Sequence, residues 1–188
     1  MMNRTYVDRV VKLGLLAALS VLLAVTIRFP IFPAAPFLEY DMADVPVFIG
    51  TFLFGPWWGL LLTAVVCVLQ GLTVSAGSGV IGVLMHFFAT GGFVLVAGFL
   101  YRAQKYHTFK GALLSLACGC VTWVLLMIPL NLIFTGWFMG TPTSVIWSMM
   151  GPVILPFNAI KAVGNSAITL LLYKSIGRVL KKEFVKRG

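Results

Sequence analysis

The chain has 188 residues, of which 60% are hydrophobic and only 10% charged, with a mean hydropathy of +1.02. That balance excludes a soluble domain: the bilayer must be the solvent, and six spans of roughly 20 residues would use about two thirds of the chain. Fourteen Lys and Arg against five Asp and Glu give a net charge of +9; on a soluble protein this would suggest nucleic acid, but here position outweighs the total and no nucleic-acid partner is expected.

In chain order, helices are expected over 8–28, 45–54, 56–73, 79–101, 110–134 and 154–180. The fold class is all-α: a single membrane domain, 1–188, forming a six-transmembrane-helix bundle with a Pro-rich outer loop between helices 1 and 2. The basic start followed by an apolar run resembles a signal peptide, yet five more apolar runs follow, so it is read as a retained first helix. Arg28 ends this span, from where its long stem can reach the outer interface. The segment FPIFPAAPFLEYDMADVP then carries four prolines and cannot continue a helix, because each lacks an N–H and disfavours helical geometry in the residue before it. It is expected as an extended outer loop, with Asp44 capping the helix that starts near Val45 and Pro46.

The second helix is too short to cross alone unless it continues through the Gly55-Pro56 break or is buried by neighbours. SAGSG, at 75–79, is a turn, and the fourth helix carries the small stripe Ala89, Gly91, Gly92, Ala97 and Gly98, which permits close helix approach in lipid. After the fifth helix, FTGWFMGTPTSVIWSMMGP is expected as a second long outer loop, with the last helix starting near Pro156. If six spans leave both termini inside, twelve of the fourteen cations lie on that side, including Arg4, Arg9, Lys12, Arg102, Lys105, Lys110, Lys174, Arg178, Lys181, Lys182, Lys186 and Arg187, while Glu39, Asp41 and Asp44 fall outside.

Polar groups inside the membrane are the informative ones, because a charge at mid-bilayer costs about 2.5–3.5 kcal/mol on insertion scales. Asn158, Lys161 and Asn165 fall within about 60° of one another on the last helix. This stripe is either a ligand face, with the amides reading a polar heterocycle and the ammonium a negative charge, or an interhelical ladder with Lys161 snorkelling outward. Asn131 follows Pro129, which leaves the Leu125 carbonyl without its helical donor; it either contacts ligand or satisfies a kink. Gln70 and His86 are further candidates for ligand contact. Gly14 with Ala18, and Ser20 with Ala24, are small-xxx-small pairs on the first helix, suited either to another helix or to ordinary packing within the bundle. Cys67, Cys118 and Cys120 sit in apolar stretches and suggest no disulfide; the side chains of Cys118 and Cys120 point about 200° apart, with no nearby His, so no metal is expected. The chain has no G-x-x-x-x-G-K-[ST] loop, so ATP-driven transport would need a partner's motor.

Taken together, FLEYDMADVP, GTFLFGPWWGL and LPFNAIKAVGNSAITLLLYK resemble the substrate-binding S components of energy-coupling factor (ECF) vitamin transporters, most closely the riboflavin-specific branch. The likeness covers nearly the whole chain. It implies six helices, a vitamin bound tightly near the outer surface, and assembly with a membrane scaffold subunit and two cytoplasmic ATPases in a bacterial cell membrane, both termini being cytoplasmic. Riboflavin would be a transported ligand and not a cofactor. The family pattern implies that Asn131, Asn158 and Lys161 hydrogen-bond the flavin ring or ribityl chain, that the backbone around Leu38 closes over it, and that Gly14 with Ala18 stand for the A-x-x-x-A scaffold contact. Asn165, Gln70, His86 and Tyr40 complete the candidate substrate contacts. Trp57, Trp58, Trp123, Trp137 and Trp147 join Tyr40 as candidate stacking surfaces. Where riboflavin-type members carry an acidic residue and an amide on the fourth helix, this chain has Val83 and His86, so pantothenate, folate or a pyrimidine remain alternative ligands.

Two other classes compete. An intramembrane enzyme would need more than Ser78 and His86, since no orienting third group or oxyanion site is readable. A small channel or structural bundle would repeat its polar lining around an axis, whereas here the polar residues gather toward the outer ends of two late helices.

Overall fold

The computed structural model describes residues 4–33, 35–104 and 107–185; Lys105, Lys186 and Arg187 of the basic set lie outside them. Helix α1 (Arg4–Thr26) buries Leu13, Ala17, Ser20 and Ala24, a stripe at helical spacing, and leaves Leu15, Leu22 and Val25 exposed on the opposite face. The proline-rich segment is not wholly irregular. Strands β1 (Arg28–Pro30) and β2 (Glu39–Asp41) pair antiparallel with Arg28 opposite Asp41, Phe29 opposite Tyr40 and Pro30 opposite Glu39, so a short ribbon interrupts the otherwise helical fold. Pro30 is tolerated because a two-stranded ribbon has only edges.

Helix α2 (Asp44–Phe54) is short and shielded: ten of its 11 residues are buried. It ends at Gly55, whose φ of +101° is open to glycine but strained for other residues, and Pro56 then starts α3 (Pro56–Leu72) at a position where its missing N–H costs nothing. A 3-10 turn, Ala76–Ser78, leads into α4 (Gly79–Ala103). The small stripe on α4 lies inside: Ala89 and Ala97 are buried, and a Cβ on Gly98 would stand 2.8 Å from the Thr51 side chain and 3.0 Å from the Pro56 backbone. That close approach packs α4 against both α2 and α3, and α4 also makes the most extensive contact with α5 (Phe109–Leu130), whose first turn is capped by Thr108.

The expectation of a second long outer loop is corrected. Helix α5 passes through a π turn, Asn131–Thr135, directly into α6 (Gly136–Met139); Gly140 reverses the chain, and α7 (Thr143–Met149) passes through a second π turn, Met150–Ile154, into α8 (Leu155–Val185). Proline explains both wide turns. Pro129 precedes the first and Pro152 lies within the second, and each removes an N–H that the helix would otherwise use. The last helix begins at Leu155, beside Pro156 as expected, but it continues an apolar helical stretch that starts at Thr143. Four helical stretches among the described residues are long and apolar enough to cross a membrane, namely Tyr6–Thr26, Ala76–Ala103, Phe109–Met139 and Thr143–Tyr173, while α2 and α3 are shorter.

Candidate functional site

At the ribbon end of the bundle, the C-terminal parts of α3 and α5 and the N-terminal parts of α4 and α8 splay around a cavity of about 150 Å³. Gln70 comes from α3, Val83 and His86 from α4, Trp123 and Met127 from α5, and Phe157, Asn158 and Lys161 from α8; Phe37, Leu38, Glu39 and Asp41 cover it from the ribbon. A second lobe of about 110 Å³ shares the walls Leu38, Met127, Phe157 and Asn158 and adds Ile81, Asn131, Thr135 and Phe138. The two lobes differ in character: about half of the first is polar or charged, including Arg28, Glu39, Asp41, Gln70, His86 and Lys161, beside Phe157, Trp123 and Met127, whereas Phe, Met, Leu and Ile dominate the second, so polar groups and apolar walls meet in one site as small-molecule sites require.

Lys161 does not snorkel. It is buried, and its ammonium donates to Asp41 Oδ2 at 2.7 Å, so a carboxylate from the ribbon neutralises it at the cavity edge. Asp44 is not a helix cap: α2 already starts at Asp44, no side chain caps it, and the buried carboxylate instead accepts from His86 Nε2 at 2.9 Å, Thr90 Oγ1 at 2.9 Å and Asn165 Nδ2 at 3.2 Å. Because a carboxylate can only accept, Nε2 of His86 carries the proton. Asp41 performs the local turn bond, accepting from the Ala43 N–H at 3.0 Å. Asn165 also donates to the Asp41 carbonyl at 3.1 Å and accepts from the Tyr40 hydroxyl at 2.9 Å. Burial holds the Tyr40 phenol above its ordinary pKa against the opposing pull of the Lys161 ammonium, so it remains a donor. Three buried polar residues of α8 are thereby tied to the ribbon, α2 and α5; in the last case Trp123 Nε1 donates to Asn158 Oδ1 at 3.1 Å.

Asn131 donates to the Met127 carbonyl at 2.7 Å and accepts from Thr135 at 2.9 Å, which satisfies the wide turn after Pro129 while its side chain still borders the second lobe. Gln70 differs from all of these. It is 3% exposed, lines the cavity, and its Nε2 has no hydrogen-bond partner. A buried amide donor left unmet costs about 1–3 kcal/mol, which a ligand acceptor would recover.

The family model described as "ECF transporter, substrate-specific component" matches residues 8–173. The chain belongs to this family. As an S component it is a substrate-binding part of a transporter and a multi-pass membrane protein, not an enzyme. It is 30% identical over 176 residues to the riboflavin transporter FmnP of Bacillus subtilis, covering 89% of this chain and 90% of that one, and 28% identical over 190 residues to the riboflavin transporter RibU of Staphylococcus aureus, covering 96% of each. A solved structure described as "Structure and mechanism of the S component of a bacterial ECF transporter" superposes with a TM-score of 0.77 at 30% identity, over 93% of this chain and 98% of that one.

Of the residues singled out in the sequence, the S-component fold gathers Leu38, Gln70, His86, Asn131, Asn158 and Lys161 around the two lobes. Tyr40 and Asn165 stand behind the wall, bonded to each other, and Gly14 and Ala18 are exposed on α1, far from the cavity in the fold's order. Sequence reasoning missed Asp41 and Asp44 as partners of Lys161 and His86, although three of the five acidic residues fall within 39–44 and each needs a counter-charge if buried. It also missed Arg28 as a site residue. In its guanidinium, Nε donates to Glu39 at 2.7 Å, and Nη1 donates to the Val74 carbonyl and, at 3.2 Å, to the Ser75 hydroxyl, so Arg28 fastens the ribbon to the α3–α4 connection.

Proposed function

We propose that this S component captures riboflavin at the outer face of a bacterial membrane for an ECF importer whose scaffold subunit and two cytoplasmic ATPases drive uptake. The observation that carries the reading is a two-lobed cavity, one lobe rich in polar and charged side chains and the other walled mainly by Phe, Met and aliphatic ones, containing one unmet amide donor, in a chain whose relatives over about nine tenths of its length are riboflavin transporters. A flavin supplies what such walls lack: a broad planar apolar surface with carbonyl and ring-nitrogen acceptors along one edge and hydroxyls on a chain. Gln70 meets an acceptor of the ligand, Asn131, Asn158 and His86 offer further polar contacts, and Lys161, charge-paired with Asp41, holds ammonium N–H donors at the rim. Leu38 and the ribbon cover the bound molecule.

In this reading α1, α2, α3, α4, α5 and α8 all cross the bilayer, the short α2 and α3 doing so under the shelter of their neighbours, and both termini are cytoplasmic. The distribution of Lys and Arg supports that orientation, with Arg9 and Lys12 on α1 at the end opposite the ribbon and Arg102 near the α2–α3 break. Gly14 and Ala18 meet the scaffold helix: both are exposed, and a Cβ placed on Gly14 finds nothing within 4 Å.

The test is binding by the purified protein. Added riboflavin should lose its fluorescence, quench Trp emission and raise the melting temperature, since a ligand that binds only the folded form stabilises by about 4 kcal/mol at a thousandfold excess over Kd. If riboflavin produces none of these effects while pantothenate, folate or a pyrimidine raises the melting temperature, the ligand assignment is wrong though the S-component architecture stands.

A further inference from the structure

The connection from α5 to α8 has a property that ligand capture does not require. No charged residue occurs between Lys110 and Lys161, and the α6–α7 hairpin at its centre is two-faced. On its inner side Gly136, Ile146 and Met150 are buried in a small apolar cluster that also takes in Leu38, Ile128, Leu132 and Met139. On its outer side Trp137 is 71% exposed and Trp147 63%, beside exposed Phe138 and Val145. Two indoles standing in water would be an unusual surface for a hairpin whose other exposed side chains include the hydroxyls of Thr143, Ser144 and Ser148.

We propose that the α6–α7 hairpin is immersed in the headgroup boundary of the outer leaflet, with Trp137 and Trp147 as its lipid anchors and the bilayer itself as the partner. Three observations select lipid as the occupant. The hairpin is flanked in the chain by further exposed apolar residues, Leu125 of α5 and Ile133 of the π turn on one side and Ile160 and Val163 of α8 on the other, on helices long and apolar enough to cross the bilayer. The stretch offers no charge that water or an electrostatic protein partner would favour. Indole combines a large apolar body with one N–H donor, which suits the boundary between acyl chains and headgroups. Ring contact reinforces the arrangement, with Phe134 and Trp137 edge to face at 5.8 Å.

The consequence for the cavity is an asymmetric mouth. Phe138 lies on the hairpin, lines the second lobe and packs against Phe37 of the covering segment at 6.5 Å between ring centroids. One lip of the entrance is therefore set by lipid depth, and the other is the charged ribbon held by Arg28 and Glu39.

Lipid-borne quenching tests this in the full-length, ligand-free protein, reconstituted in phosphatidylcholine nanodiscs. Trp57 and Trp58 are replaced by Phe, which leaves Trp137 and Trp147 with Trp123, 1% exposed, as a buried internal reference. Lipids brominated near the headgroup end of the acyl chain should quench this emission about twofold more than lipids brominated near the methyl end, because interfacial anchors sit only about 5–10 Å deep. Trp137→Phe with Trp147→Phe should abolish the difference, and aqueous iodide should quench weakly. Strong iodide quenching without bromolipid quenching would put the hairpin in water and overturn the proposal; quenching by neither would do so as well, since protein would then cover the indoles. A monodisperse elution profile of each variant establishes that it is folded. No vitamin is added, so failure here leaves the riboflavin reading standing.

Discussion

Gln70 and Lys161 face one cavity in opposite states of satisfaction, and this decides what each substitution should do. The Gln70 amide is buried with an unmet donor, whereas the Lys161 ammonium already bonds to Asp41. Replacing Gln70 with Leu removes an unsatisfied group, so the ligand-free melting temperature should stay level or rise while riboflavin affinity falls about tenfold, the worth of one neutral hydrogen bond. Unchanged affinity in a fluorescence titration would mean that the amide meets water and not ligand. Lys161→Ala should instead destabilise the protein by about 3–5 kcal/mol, because it strands a buried carboxylate; adding Asp41→Asn should return much of that loss. Thermal melts of the two single variants and the double variant give the coupling directly. The polar stripe on α8 was legible in the sequence because its members repeat at helical spacing. Its charge partner was not, because Asp41 lies 120 residues away and only the fold brings it to Lys161.

Among the elements, α1 shows how one sequence pattern can serve two ends. Gly14 with Ala18 and Ser20 with Ala24 are the same small-xxx-small signal, yet the first pair is exposed while Ser20 and Ala24 are buried at 0% and 1%. Ala24→Leu should therefore strain the bundle by about 1–3 kcal/mol, as overpacking does. Ala18→Leu should leave melting temperature and riboflavin binding intact but abolish uptake by cells that carry the scaffold and ATPases. If Ala18→Leu cells still accumulate riboflavin, the scaffold contact lies elsewhere. The pattern could not separate the pairs because the side of a helix that faces the bundle depends on where its neighbours stand. The α5–α8 connection was misread for a related reason. Gly140, Pro142 and Pro152 are turn formers by local rules, but Pro152 is accommodated inside a π turn and Ile146, Met150 and Ile154 fold back onto an apolar cluster that local rules do not see. The break between α2 and α3 was legible because the Gly55-Pro56 signal is local.

Across the whole molecule, charge is sorted by end, and the ribbon end concentrates the pairs that close the cavity. Asp41 meets Lys161, Asp44 meets His86 and Glu39 meets Arg28, all within reach of one cavity. The first two are buried and hold α8 to the ribbon and α4 to α2; the third is half-exposed and joins two surface segments, the ribbon and the α3–α4 connection. A partly solvated pair exchanges with water more readily than a buried one, so the Arg28 contact should break first when the cavity opens. It forms no part of the helix packing, and its loss should lower melting temperature little. Arg28→Gln keeps a polar side chain but removes the charge and the forked donor that spans Glu39 and Val74. The expected result in stopped-flow quenching is riboflavin release about tenfold faster with an association rate nearly unchanged, because a weakened fastening shortens the bound state without altering the encounter. A variant that instead slows association and leaves release unchanged would mean that Arg28 guides the ligand inward, and the ribbon would then be a fixed wall.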